Sequence, residues 1–388
     1  MIKLADYVDP VSIEKALWSH ISEPSTISHF ITINTASKPI ESLDGVKLAI
    51  VGIPDDRRSP NKGSNEAPDR IRESLYQLAR LPGKNKIVDL GNLKHGTGFE
   101  DTLAALKDII LHILDKNCQL LLLGGSSAVT SAIDKALSEA TNNYHFSSID
   151  SRIDFVAEKG DPDSFNHLGA ILYNKNSGMK YFSNIGYQTY LNDQQVINRF
   201  KKHNFDLIRI GEARSSLGEI EPVFRDSEHI SLDIAAVRQS DAPGTFAPSP
   251  NGFYTEEICL LARYAGLSDK LKVFSLFEVN PLLDSRNQTS ALSAQILWFF
   301  MEGISQRNPE SEMIGLDKNG RFVQYHVSID NLDEKLLFVK STVTNRWWME
   351  IKSNKGEIRY LACSYNDYLK ANDGEIPPRW MKAVSGTI

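Results

Sequence analysis

Short apolar runs alternate along the chain with longer stretches whose apolar positions recur every three to four residues. Runs at 46–53, 87–90, 118–123, 143–149, 180–185, 205–210, 229–232 and 271–279 read as strands. Most lack a polar alternation, which is the pattern of strands buried on both faces. Between them, 66–80, 101–116, 128–140, 193–203, 255–264 and 289–305 read as helices. In the second of these, Leu103, Leu106, Ile109, Ile110, Ile113 and Leu114 mark one apolar stripe. Such alternation predicts a mostly parallel sheet of about eight strands covered by helices on both faces. Residues 1–44 carry few signals beyond a short helix over 11–21 and a loop over 22–42.

The pattern changes near the C-terminus. Phe322-Val323-Gln324-Tyr325-His326-Val327, Leu336-Leu337-Phe338-Val339 and Arg346-Trp347-Trp348-Met349-Glu350-Ile351 are β-rich and aromatic, and Asn354-Lys355-Gly356 reads as a turn. The expected organisation is an N-terminal extension (1–44), an α/β domain (45–305) and a C-terminal β-rich extension (306–388). The paired tryptophans are read as packing rather than as a binding hot spot.

Composition narrows the function classes. The chain has 388 residues, 41% hydrophobic, enough for a substantial core. Its 43 basic and 49 acidic side chains are interspersed and give a net charge of -6. That argues against a nucleic-acid partner or an anionic membrane. The apolar run at 120–123 is too short to span a bilayer, and no signal peptide is expected from the first residues. Cys118, Cys259 and Cys363 lie far apart and read as reduced thiols of a cytoplasmic protein.

The candidate chemistry sits just after predicted strands, where α/β proteins bind ligands. Gly124-Gly125-Ser126-Ser127 follows the run at 118–123. Asp150-Ser151-Arg152-Ile153-Asp154 follows the run at 143–149 and places two carboxylates four residues apart with a guanidinium between them. Ser231-Leu232-Asp233-Ile234-Ala235 and Glu278-Val279-Asn280-Pro281 with Asp284 complete the set. Carboxylates so grouped can hold a hard divalent cation, but a guanidinium cannot be a ligand.

Together with Gly52-Ile53-Pro54-Asp55, Asn61-Lys62-Gly63, Ala67-Pro68-Asp69-Arg70 and Pro243-Gly244-Thr245, these motifs resemble the ureohydrolase superfamily of arginase, agmatinase and formimidoylglutamase. The resemblance covers 46–305. It implies a three-layer α-β-α arginase-like fold and two Mn(II) ions that activate water toward a guanidinium or formimino carbon. Carried over by position, Asp150, Asp154 and Asp233 match metal ligands. Ser127 and Arg152 stand where the resemblance expects His, and Ala235 where it expects Asp. Glu278 matches the acid that receives the substrate's guanidinium or amidine, and Asn166-His167 loosely matches a substrate-binding Asn and a proton-shuttling His.

With half of the implied ligands replaced, the expectation is a protein that is not a binuclear metallohydrolase and acts as a binding or scaffold protein. No cofactor is then expected, or at most Mn or a single Mg ion. Arg152 is expected to pair with Asp150 and with Asp154 or Asp233 through its planar fork, and Glu278 to be a further partner of that cation. The alternative is an active C–N hydrolase of the formimidoylglutamase or arginase type. Expected partners are a protein, a second copy of the chain, or a small amine or guanidino ligand.

Overall fold

The computed structural model describes every residue except 1, 13–24, 142, 157–159, 204, 317–319, 331, 333–334, 353–356 and 386–388. The helix expected over 11–21 and the turn at 354–356 fall largely or wholly outside the described residues.

Eight parallel strands form the centre: β3 (Leu48–Gly52), β4 (Ile87–Leu93), β5 (Gln119–Leu123), β6 (Tyr144–Ile149), β7 (Met179–Tyr187), β8 (Asp206–Arg209), β9 (His229–Asp233) and β10 (Val273–Phe277). Two short strands, β1 (Val8–Asp9) and β2 (Thr32–Ile33), add to β4, the first antiparallel. The order is β1-β4-β3-β5-β10-β9-β6-β7-β8. The two strands latest in sequence therefore lie between β5 and β6, at the centre of the sheet. Sequence order alone does not give that insertion.

β3 and β10 are buried along their whole length, as their unbroken apolar runs require. Two apolar clusters lie on opposite faces of the sheet. One joins the helices Ala67–Leu75, Thr255–Leu267 and Gln288–Ser305, and the other joins Phe99–Asp115 and Thr130–Thr141. This is the expected α-β-α sandwich. Gly303 lets two of the helices touch: a Cβ there would come within 2.4 Å of the Arg263 carbonyl and 2.9 Å of Gly266 Cα. Asp284 starts the helix Gln288–Ser305 by accepting the Thr289 and Ser290 N–H groups, each at 2.8 Å.

The C-terminal strands β11 (Phe322–Val327), β12 (Leu336–Ser341), β13 (Trp347–Lys352) and β14 (Ile358–Cys363) form a separate antiparallel sheet in sequential order. Two helices not anticipated from sequence follow it, Tyr365–Asn372 and Pro378–Ser385. The first begins in a capping box between Ser364 and Asp367, a signal present in the sequence but masked by aromatic residues. Trp347 and Trp348 are buried, so their role is packing. Arg225 lies over the Trp348 ring at 4.7 Å and donates to the Trp347 and Cys363 carbonyls. Asp226 accepts the Ala362 N–H and pairs with Lys270. Asp226 and Lys270 precede β9 and β10, so this sheet docks at the N-terminal ends of the central strands. No helix among the described residues is long and apolar enough to cross a membrane. All three cysteines are buried and unpaired.

Candidate functional site

Register brings the site together. Ile149 pairs with Leu232, and Asp233 pairs with Phe277. Asp150, Asp233 and Glu278 therefore leave three adjacent strands at nearly one level. β5 lies on the other side of β10, and its Gly125 carbonyl accepts the Glu278 N–H at 3.0 Å. Gly125 has φ +71°, and a Cβ there would sit 2.2 Å from the Ile53 carbonyl oxygen. The turn that delivers Ser127 thus requires glycine.

Asp150, Asp154 and Asp233 each offer a carboxylate oxygen, and these oxygens lie within 4.8 Å of one another. Asp150 and Asp154 are buried, and Asp233 is partly exposed. Burial pushes the Asp150 carboxyl up to about 6. Burial, together with the neighbouring acids, holds Asp154 and Asp233 well above the usual carboxylate range. Glu278 is raised too, chiefly by burial. Three like charges at this spacing need either protons or a cation. The all-oxygen donor set suits a hard ion such as Mg(II) or Mn(II).

Arg152 does not supply that charge by pairing. Its backbone N–H donates to Asp150 at 2.9 Å, and its Nη1 donates to the Leu191 carbonyl at 3.2 Å. No carboxylate of the cluster lies within ion-pair distance. The expected salt-bridge fork is corrected accordingly: the tight turn uses Asp150 on the backbone, and the side chain follows the wall toward the loop after β7. Glu278 is likewise not paired with Arg152. Its Oε1 accepts the Ser127 N–H (2.9 Å) and hydroxyl (3.3 Å), and its Oε2 accepts from Asn61 (3.0 Å) and Ser59 (3.2 Å).

Ser127 begins a short helical turn, and its hydroxyl is shared between Glu278 and the Ser164 carbonyl. Ala235 places its backbone N–H on Asp233 at 2.7 Å and offers only a methyl group to the cavity. His167 and Asn166 do not line the cavity. Asn166 is buried and accepts the Val156 N–H. His167 lies behind Asp154, with Nδ1 3.5 Å from its carboxylate and, among the described residues, no hydrogen-bond partner of good geometry for either ring nitrogen. Burial lowers its pKa to about 4, so the ring is neutral at neutral pH. The cavity is partly open to solvent and has a volume of about 30 Å³. That holds about two water molecules, or the head group of a ligand. Phe165 and Phe246 stand half-exposed at its mouth.

Ser59 carried no role in the sequence reading, and Asn61 was only part of a motif. Their signal is a polar loop beside the first strand, but nothing local announces a contact with Glu278. The profile of the Arginase family matches residues 46–302. This chain belongs to the arginase family. Among arginase-family proteins it is similar to formimidoylglutamase of Bacillus subtilis strain 168, 26% identical over 301 residues that span 70% of this chain and 92% of that protein. It is also similar to formimidoylglutamase of Staphylococcus aureus strain MRSA252, 26% identical over 307 residues, 72% of this chain and 94% of that one. The solved structure of the B. subtilis formimidoylglutamase superposes with a TM-score of 0.67 at 22% identity, covering 76% of this chain and 97% of that one. Trypanosoma cruzi formiminoglutamase with Mn2+ superposes with a TM-score of 0.63 at 18% identity, covering 68% and 95%. At these identities the superpositions show a shared fold.

Proposed function

We propose that the chain hydrolyses a C–N bond of a linear amidine or guanidino compound in the manner of a formimidoylglutamase, using one divalent cation. The observation that carries this reading is the convergence of Asp150, Asp154 and Asp233 with Glu278 on one cavity at the strand ends. The relatives' names support it, because proteins named formimidoylglutamase match this chain along nearly their full length, and one solved neighbour carries Mn2+. Asp150, Asp154 and Asp233 would hold the ion. When bound, it supplies a Lewis acid and makes water acidic enough to be a nucleophile near neutral pH.

The chain's own groups do the rest. Glu278, held by the Ser127 N–H and by Asn61, accepts the N–H groups of an amidinium head and fixes its orientation. Ser59 and Ser127 donate through hydroxyls that can rotate away as the ligand arrives. A second ion does not fit this donor set, because Ala235 offers a methyl group and Arg152 a cation where the resemblance implies ligands.

That same observation favours a second reading, in which the site binds an amidine or amine without turnover and the protein acts as a binding or scaffold protein. Two measurements separate the readings: elemental analysis after incubation with excess Mn(II), and release of formamide from formimino-glutamate or urea from arginine or agmatine. One equivalent of metal with product release supports the hydrolase. One equivalent or none, without product, supports the binding protein. Two equivalents overturn the single-ion site.

A further inference from the structure

We propose that β11 is a self-association edge: it pairs antiparallel with β11 of a second copy of this chain and joins two C-terminal sheets into one. The proposal is independent of the strand-end cavity and of its chemistry. β11 ends the order β11-β12-β13-β14. The Thr342 N–H donates to the Arg321 carbonyl at 2.8 Å. By the alternation of an antiparallel ladder, Val323, Tyr325 and Val327 then turn their backbone groups toward β12. Gln324 and His326 turn theirs outward, where among the described residues they meet no partner. Both side chains are exposed, so water reaches the edge there.

Free edges are ordinarily protected by charge, by proline or by a bulge. β8, the last strand of the central sheet, carries Asp206 and Arg209. The far edge of the C-terminal sheet is covered, since Asp226 accepts the Ala362 N–H and Arg225 donates to the Cys363 carbonyl. β11 has neither protection. Its residues, Phe322 to Val327, include no Lys, Arg, Asp, Glu or Pro, and its register against β12 is unbroken. The strand also complements itself. With a two-fold axis at Tyr325, Gln324 faces the partner's His326 and His326 faces the partner's Gln324. Those two pairs make about four inter-strand hydrogen bonds. Tyr325 meets its own counterpart and Val323, 40% exposed, meets the partner's Val327. These apolar pairs lie on the face where Tyr325 already packs on Trp347 and Tyr368. The polar pairs lie on the other face. No like charges are brought together, which is what favours a second copy as the occupant.

The test is a charge exchange at the two exposed positions, read as the mass of the full chain by sedimentation from about 1 to about 100 µM. Gln324→Lys with His326→Lys sets like charges opposite each other in both polar pairs, and Gln324→Glu with His326→Glu does the same with the other sign. At the highest concentration the parent should have twice the mass of either variant. Gln324→Lys with His326→Glu sets opposite charges across both pairs and should keep the parent's mass. Mixing the Lys/Lys and Glu/Glu variants should restore it as well. Recovery in these two cases separates loss of pairing from loss of fold. A parent no heavier than the Lys/Lys variant overturns the proposal, including the case in which β11 serves a foreign strand. A Lys/Glu variant no heavier than the Lys/Lys variant overturns it too, because the two-fold register requires the opposite.

Discussion

Replacing Asp154 with Asn tests the electrostatics of the cluster most directly. Asp150 and Asp233 each accept a backbone N–H, from Arg152 and Ala235, so changing them disturbs a turn. Asp154 accepts no backbone N–H among the described residues and lies against its carboxylate neighbours and the neutral ring of His167. Oxygens within 4.8 Å repel by at least about 3 kcal/mol per ionised pair at an effective dielectric constant of roughly 20. The folded chain avoids that cost by keeping a proton on the cluster, which itself becomes expensive as pH rises. Removing the Asp154 charge should relieve on the order of 3 kcal/mol or more of that repulsion. In a chelator the variant should therefore melt higher than the parent, by a shift on the order of 5 °C. Mn(II) at about one hundred times its dissociation constant should stabilise the parent by about 2.7 kcal/mol and the variant by much less. Scanning calorimetry with chelator and with Mn(II) gives both comparisons. A variant that melts lower than the parent in chelator, or gains as much from Mn(II), would refute the repulsive cluster.

The buried pair of Arg72 and Asp89 is a different case, since Arg72 donates to both oxygens of Asp89 at 2.8 and 2.9 Å. Arg72→Met strands that carboxylate and should cost about 3–5 kcal/mol in urea unfolding. Metal-free stability should also depend on pH. Asp150 titrates near 6 in the fold and near its ordinary value of 3.8 when unfolded. Between those values the folded chain holds a proton that the unfolded chain has released. Stability therefore falls as pH rises from about 4 to about 6, by about 3 kcal/mol from Asp150 alone and further in the same direction from Asp154, Asp233 and Glu278, whose carboxyls are raised too; equilibrium unfolding in chelator across that range checks the sign. Finally, the combined variant Ser127→His, Arg152→His, Ala235→Asp should raise bound Mn(II) to about two equivalents by elemental analysis; an unchanged stoichiometry would mean that the cavity walls, not the missing ligands, limit the site.

The strands were legible because each is a short apolar run bounded by turn residues, and the site was legible because its acids follow those runs directly. Asp150, Asp154, Asp233 and Glu278 meet where the register of β6, β9 and β10 puts them. The direction of Arg152 was not legible. It is set by the Leu191 carbonyl, 39 residues further along on another loop. The support of Glu278 was hidden for the same reason, because Asn61 reaches it across 217 positions. Propensity and spacing describe neighbours in sequence, whereas the Arg152 contact depends on β6 and β7 lying side by side and the Asn61 contact on β10 being inserted next to β5. The C-terminal helices were missed differently: the capping box at Ser364 was readable, but the preceding aromatic strands set the expectation for the whole extension.

Glu278 bears on what the site has kept. It adopts φ +64°, a conformation that costs a non-glycine residue about 1–3 kcal/mol. A residue free to relax would not hold it. The conformation persists because the Gly125 carbonyl takes the backbone N–H, while the Ser127 N–H and Asn61 draw the carboxylate into the cavity. Ser127, which stands at a position the resemblance gives to a metal ligand, instead holds the Glu278 carboxylate through its N–H and hydroxyl. Two of the four donors to Glu278 are hydroxyls that can turn aside, so its oxygens remain open to a cationic ligand. Strain maintained around an acceptor is hard to account for in a surface that has no ligand. On the proposed reading, that strain keeps the Glu278 carboxylate aimed into the cavity where a cationic head would meet it.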